Sequence, residues 1–393
     1  MTLAFLVSSP ILNRVYKKRI FMFDLSAIGH NVTEFIEFFR QVQSTQFPKK
    51  ARLLFQYSQT NPTNNLFIFE IWQRRLVGFS NVQTLKTPTL LWNSLLFFSK
   101  LKKSADSWLI PFSANYSTVS SMTKTESFSL IRQEEQSHFE YLLKDHMGFK
   151  LNKFCILGIR DSGFYRDASI RSTNLEYFIP SIQFLLDQDI PVIRMGRRVN
   201  APIPIRHELF FDYSISDLVN DKNDILLAIN SEFAIGDSYG LTTAIAAFGS
   251  PVLMATYPLD PRSFLSNPNI YFSTQSLFTN NCLKLHLKDV IQIMNDGHNI
   301  GDEKVLKALG LISVLNSPEE IKSSVSWFLD VAIKKNVGLI DETNREQNRF
   351  THYLATHDLD KFKHYRKDAL YSSSWQTMQS HIWPQSVRAL IDN

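Results

Sequence analysis

The sequence predicts an α/β protein built on parallel sheets, and three observations carry that prediction. Short apolar runs of strand length recur along the chain, as at Phe154–Ile159 and Pro191–Arg194. Segments with apolar residues at helical spacing lie between them. Several of the runs end abruptly on glycine or charge, as a buried parallel strand does where it leaves the core.

In chain order, Thr2 to Leu12 is apolar but too short to span a bilayer, and it lacks the flanks of a secretory leader. Ile20 to Ser26 reads as a strand ending on Ala27-Ile28-Gly29-His30. Asn31, with Glu34 three residues on, has capping-box spacing and predicts a helix start. Val32, Phe35, Ile36, Phe39 and Val42 give that helix its apolar face. His30 then has two readings: a polar turn residue that helps cap the helix, or a ligand-contacting group at a strand end. Ala51 to Tyr57 is a further strand, Asn61-Pro62-Thr63-Asn64 a turn, and Leu66 to Leu76 a helix. Trp92 to Lys103, apolar and then basic, fits an amphipathic surface helix. Ser113 to Ser127 reads as a loop and Ile131 to His146 as a charged helix, and Gly148 to Lys153 is the expected domain boundary.

The second half repeats the strand, turn, helix order. After the Phe154 strand, Thr173 to Leu186 carries an apolar stripe in which Pro180 marks a kink or a later helix start. Pro191–Arg194 is a strand, with Glu208 to Asp212 a candidate third and Asp224 to Asn230 a helix. Glu232 to Ile235 and Pro251 to Met254 are strands around a small-residue helix, Thr242 to Phe248. Asn316-Ser317-Pro318-Glu319-Glu320 is a helix start with cap, first-turn proline and acids at the positive dipole end, and the helix runs to about Ile333. Lys334 to Asn393 is polar, too long for a fraying end, and expected to pack back on the body as a helical tail anchored by Trp375 and Trp383. The division is 1–150, 151–333 and 334–393.

Composition narrows the function. The chain has 393 residues and 44% apolar content, enough for two cores. Its net charge of +5 is spread thinly, with no basic arm, which argues against nucleic acid as a partner. That charge suits an anionic small ligand or a weak peripheral contact with an anionic membrane face. Two cysteines, Cys155 and Cys282, exclude a disulfide framework and a Cys-rich zinc site. Cys155, inside a strand, reads as a small buried hydrophobe. The chain reads as cytoplasmic.

Two strand ends point to anion chemistry. Arg160, Arg166 and Arg171 leave the first strand of the second half within one short loop that also holds Asp161 and Ser162. Arginine's planar fork suits phosphate oxygens. Gly236-Asp237-Ser238-Tyr239-Gly240-Leu241 precedes a helix, whose free N–H groups attract anions. It is neither a Walker loop nor the dinucleotide fingerprint. It does match G-x-S-x-G in form, which keeps a hydrolase reading open. Asp187-Gln188-Asp189 has metal-motif spacing but sits at a helix end and reads as a C-terminal turn, so no metal site is assigned.

Ile159-Arg160-Asp161-Ser162-Gly163-Phe164, Arg171, Val192-Ile193-Arg194-Met195-Gly196 and Phe233 to Leu241 together resemble a family of bacterial glycosyltransferases of the GT-B type, associated with surface polysaccharide or glycoprotein synthesis. Ile28-Gly29-His30 and the Asn65 to Arg75 helix resemble its N-terminal half. The strand-end Arg160 is more distantly similar to that of fucosyltransferases. The resemblance covers about Phe21 to Asp330. It departs at Asp237 and Tyr239, where the family carries small Ser or Thr. It implies two Rossmann-like domains facing across a cleft, with a nucleotide-sugar held mainly by the second and no metal or other cofactor. Arg160, Ser162, Arg166, Arg171, Arg194, Gly196, Gly236, Asp237, Ser238, Tyr239, Gly240 and Leu241 are then the donor-binding candidates. Arg160, Asp161 and His30 are the catalytic ones. The acceptor is a glycan, a lipid-linked group or a protein. A nucleotide-sugar epimerase, a pyruvyl transferase and a non-catalytic nucleotide- or sugar-binding module are the alternatives.

Overall fold

The computed structural model describes residues 19–24, 28–43, 51–56, 65–76, 82–87, 109–111, 121–148, 153–160, 170–197, 199–237, 240–258, 267–356 and 381–392. The first part of the chain contributes β1 (Arg19–Asp24), α1 (Ile28–Gln43), β2 (Ala51–Gln56), α2 (Leu66–Leu76), β3 (Val82–Thr87) and β4 (Leu109–Pro111). Two helices follow, α3 (Lys124–Phe128) and α4 (Gln133–Leu142), the second continuing as a π turn to Met147. Then come β5 (Cys155–Gly158), α5 (Ile179–Leu186), β6 (Val192–Met195), β7 (Phe210–Asp212), α6 (Asp221–Asn230), β8 (Phe233–Gly236), α7 (Gly240–Ala247), β9 (Val252–Tyr257) and β10 (Ile270–Thr274). The rest is β11 (Ser276–Thr279), α8 (Leu287–Asn295), α9 (Glu303–Ala308), β12 (Leu311–Val314), α10 (Pro318–Phe328), α11 (Val337–Thr356), β13 (His381–Ile382) and α12 (Pro384–Ile391).

Among the described residues, strand pairing forms two parallel sheets and one two-stranded antiparallel pair, β11-β12. The first has the order β3-β2-β1-β4, the second β13-β10-β9-β8-β5-β6-β7. In each, the chain steps outward from one central strand and then crosses to that strand's other side. The reversal lies at β1/β4 in the first sheet and at β5/β8 in the second. Open parallel sheets bind ligands at the carboxyl ends of the strands flanking such a reversal. The four strands expected at Phe154, Pro191, Glu232 and Pro251 all lie in the second sheet, each beginning one residue later, and the last runs on to Tyr257.

The second sheet is apolar on both faces, which is why its strands read as unbroken hydrophobic runs. Ile156, Ile193, Ala234 and Met254 point to one face, where Ile225, Ile229, Ala244 and Ile245 of α6 and α7 cover them. Cys155, Leu157, Ile235 and Leu253 point to the other, against Ile182 and Leu185 of α5 and Ile321, Val325 and Phe328 of α10. The α6–α7 side is shared with the first part of the chain. Val32 and Phe35 of α1 and Ile71 and Trp72 of α2 belong to the same buried cluster. Where α1 and α7 touch, a Cβ added to Gly29 would lie 2.9 Å from the Gly240 carbonyl oxygen, whereas one on Gly240 would meet nothing nearer than 3.5 Å.

Several expectations need correction. The helix after β1 begins at Ile28, so Gly29, His30 and Asn31 are its first residues rather than a turn and a cap. Lacking a side chain, Gly29 lets that extra turn pack on α7. The stretch read as a loop to Ser127 contains α3, which Thr123 and Glu126 start with a reciprocal capping box. α6 starts three residues early, capped by the Asn220 side chain. The apolar stripe from Thr173 opens as a 3-10 turn, and the α-helix starts late with Pro180 in its first turn, where a missing N–H costs nothing. The tail is not only helical: β13 pairs with β10 as an edge strand of the large sheet. The helix start at Ser317, with Pro318 and Glu320 in their expected roles, is as read. So is the turn at Asp187, where Asp189 takes a positive φ of 56°. Thr2–Leu12, Trp92–Lys103 and Trp375 lie outside the described residues.

Gly236 marks the tightest point of the second sheet. A Cβ there would overlap the Gly158 carbonyl oxygen on the neighbouring strand, backbone against backbone with nothing flexible to yield. Gly236→Ala is expected to cost about 3 kcal/mol or more. In α11, by contrast, a Cβ on Gly338 meets nothing nearer than 3.6 Å, and Gly338→Ala is expected to gain about 0.5–1 kcal/mol. Urea midpoints of the two variants check both signs.

Candidate active site

The two central strand ends of the second sheet are joined by one carboxylate. Asp237, the residue after β8, is fully buried. Its Oδ1 and Oδ2 accept the Arg160 main-chain N–H at 3.1 and 3.0 Å. Its own N–H donates to the Gly158 carbonyl at 3.2 Å, and its carbonyl accepts the Thr242 hydroxyl of α7 at 3.1 Å. Asp237 therefore fastens three pieces together: the exit of β5, the exit of β8 and the first turn of α7.

Arg160 also anchors the loop that leaves it. Its carbonyl accepts the Thr173 N–H at 3.3 Å, closing the loop on itself. The Thr173 and Thr256 hydroxyls lie 2.9 Å apart, and Gln275 donates from Nε2 to the Ile170 carbonyl at 2.7 Å and to the Thr256 carbonyl at 2.9 Å. Burial pushes the Asp237 carboxyl up to about 7, against the opposing pull of the Arg160 N–H, the Arg160 and Arg171 charges and the Thr173 hydroxyl. Arg160, Arg171 and Asp237 thus share one electrostatic neighbourhood, while Gly236, Gly240 and Leu241 form the strand end and first turn beside it. Asp161, Ser162, Arg166, Ser238 and Tyr239 lie outside the described residues.

Arg194 is placed differently from its expected role. Its side chain is buried and donates from Nη1 to Asp212 at 3.0 Å and to the Ala201 carbonyl at 2.7 Å. Asp212 in turn accepts the Ile203 N–H and the Ser214 hydroxyl. That ion pair fixes the strand-end segment after β6, where Gly196 packs closely on Val199. A donor-binding role for Gly196 would fall to the main chain.

Sequence reasoning passed over a second ion cluster. Arg197 pairs with Asp221 and, through Nε at 2.7 Å, with Asp224, which also accepts the Tyr213 hydroxyl at 2.7 Å. Asp221 accepts the Leu66 N–H at 2.6 Å, and its carbonyl accepts the Asn65 amide at 2.9 Å. The start of α2 is thereby tied to the start of α6. The readable signal was Asn220-Asp221 with Asp224 one turn on, a capped and acidic helix start facing a strand-end arginine.

His30 falls in the first turn of α1, next to Gly29, which meets Gly240 of α7. The helix that follows β1 in the first sheet and the helix that follows β8 in the second therefore meet at their first turns. Among the described residues, no group of three His, Cys, Asp or Glu side chains is arranged to hold a metal ion. Among the same residues, no helix is long and apolar enough to cross a membrane.

No family model matches the chain, and no curated protein matches its sequence. Solved structures do resemble it. E. coli heptosyltransferase WaaC with ADP-2-deoxy-2-fluoro heptose aligns at 11% identity over 65% of this chain and 92% of that one, with a TM-score of 0.33. A glycosyl transferase family 9 protein from Veillonella parvula aligns at 10% identity over 81% and 98%, with a TM-score of 0.39. The iron-containing dodecameric glycosyltransferase TibC from enterotoxigenic E. coli aligns at 12% identity over 64% and 61%, with a TM-score of 0.35.

The raised Asp237 carboxyl makes a stability prediction. An unfolded chain ionises this group near the ordinary value of about 4, the folded chain only near 7. Between those values the folded state binds more protons, so the contribution is full below about pH 4 and is lost as pH rises through 7. Asp237→Asn removes that loss. The melting temperature of the variant, relative to the unmodified protein, is expected to rise from pH 5 to pH 8. Parallel curves would show that Asp237 ionises normally in the fold.

Proposed function

We propose that this chain is a GT-B-type glycosyltransferase that moves a sugar from a nucleotide-sugar donor to a glycan, lipid-linked or protein acceptor in surface glycoconjugate synthesis. One observation carries the reading. The reversal point of the second sheet ends on an arginine whose main chain is clamped by Asp237, beside the first turn of α7, and that turn meets the first turn of α1 from the first sheet. An arginine and a helix N-terminus at a strand reversal suit a diphosphate. Two sheets brought together at such ends suit a reaction between a donor on one and an acceptor on the other. The resemblance of the Arg160 and Gly236 motifs to glycosyltransferases agrees in kind.

Cleaving a nucleotide-sugar leaves a nucleoside diphosphate with growing negative charge. Charge stabilisation of that group is the catalytic task, and preorganised donors do it best. Arg160 supplies a bidentate cation, and the α7 N-terminus supplies main-chain N–H groups and the positive end of its dipole. These groups provide the positive charge, so the reaction is proposed to need no metal or other cofactor. Arg166 and Arg171 are the further donor contacts in this scheme, with the chain working in the cytoplasm or against the inner face of the membrane.

Donor turnover with a panel of UDP-, GDP-, CMP- and dTDP-sugars tests the proposal. A sugar nucleotide should be consumed, and consumption should persist in excess EDTA. Arg160→Lys keeps the charge and loses the fork; it is expected to fold and to lose on the order of 10²–10³ in turnover. A destabilised but fully active Arg160→Lys protein would remove Arg160 from the site. Stabilisation by a sugar nucleotide without turnover would instead mark a binding module, and an epimerised donor an epimerase.

The acceptor proton needs a base, and Asp161 beside Arg160 and His30 in the first turn of α1 are the candidates. The one that serves is expected to show a loss of about 10²–10⁴ in turnover as Asp161→Asn or His30→Ala, with donor affinity held. Near-full turnover in both variants excludes both.

A further inference from the structure

An anion site should not hold a carboxylate beside it, yet Asp237 is fully buried and shares its surroundings with Arg160 and Arg171. Burying an ionisable acid costs free energy. What a carboxylate adds is the geometry found here. Two acidic oxygens grip one N–H, that of Arg160, at 3.1 and 3.0 Å. The grip is braced from behind, because the Asp237 N–H holds the Gly158 carbonyl and the Asp237 carbonyl holds Thr242. Gly158 is two residues before Arg160, so both ends of the β5 exit are pinned to the same residue.

We propose that Asp237 is a positioning residue: through the Arg160 main chain it sets where the arginine fork stands relative to the first turn of α7, and so sets affinity for a diphosphate bound there. The inference rests on the diphosphate reading of Arg160. It gives Asp237 an indirect role in place of direct donor contact. It also runs against simple electrostatics. Removing a negative charge from beside an anion site should tighten anion binding, whereas removing a tether should weaken it. Arg160 and Arg171 are the charged groups acting on Asp237, and the Thr173 hydroxyl is its other side-chain partner.

Titration calorimetry with inorganic pyrophosphate at pH 8, where Asp237 is ionised, separates these effects. Asp237→Asn and Asp237→Ala, checked for fold by circular dichroism, are expected to bind pyrophosphate about 10-fold more weakly, the size of one lost charge-assisted hydrogen bond. Added to Arg160→Ala, neither change should weaken binding further, because both act through one residue. Unchanged or tighter binding in the Asp237 variants overturns the inference and leaves Arg160 as a ligand. Pyrophosphate binding that Arg160→Ala leaves unweakened, or that is absent from the unmodified protein, overturns the diphosphate reading and this inference with it. Should neither Asp237 variant fold, the Arg160 amide of the unmodified protein carries the test through selective ¹⁵N-arginine labelling. An amide resonance that follows a single carboxyl titration anywhere between pH 3.5 and 8.5 supports the tether, and one flat across that whole range overturns it.

Discussion

The close approach of two strand ends governs the rest of this molecule. β5 and β8 converge until Gly236 leaves no room for a Cβ against the Gly158 carbonyl, and the next residue, Asp237, turns inward to take the Arg160 N–H. A larger residue at 236 would push the strands apart and carry Asp237 away from its partner. Because Asp237 also holds Thr242, the start of α7 moves with it. The position of Arg160, the closure of its loop on Thr173 and the placement of the α7 N-terminus follow from one steric and one electrostatic condition.

The same economy joins the two sheets. Gly29 lets α1 and α7 meet at their first turns, where a side chain on it would press on the Gly240 main chain. Farther along, Asp221 accepts the Leu66 N–H while pairing with Arg197, so the start of α2 is fixed to the segment that leaves β6. Apolar packing does the bulk of the work here: Phe35 and Trp72 stack at 5.0 Å within the cluster that also holds Ile225 and Ala244. The polar ties choose the register of the two parts, and the packing holds it.

Much of this was legible in the sequence, for a physical reason. A parallel sheet covered on both faces must be built from unbroken apolar runs, so Cys155-Ile156-Leu157 and Phe233-Ala234-Ile235 announced themselves, and the residues where each run stopped marked the strand ends. The Ser317-Pro318-Glu320 start was equally plain, since capping chemistry is local. Contacts between distant segments were not legible. Nothing near Gly29 says that Gly240 will lie against it, so the early start of α1 was missed and Asn31 was mistaken for a cap. Asp237 looked like a loop residue facing a ligand because its partner, the Arg160 N–H, lies seventy-seven residues away and is a main-chain group that every residue carries. The partner of Arg194 was equally unreadable, since Asp212 lies eighteen residues on and on another strand. β13 was unreadable because two residues make an edge strand only by pairing with β10.

The account stands on a diphosphate held by Arg160 at the carboxyl ends of β5 and β8. A crystal structure of the protein soaked with the nucleoside diphosphate that stabilises it most tests this directly. The account predicts diphosphate density with its oxygens in hydrogen-bonding reach of the Arg160 guanidinium and of the main-chain N–H groups that open α7. Diphosphate density elsewhere on the molecule, with Arg160 turned to a protein carboxylate, would contradict it.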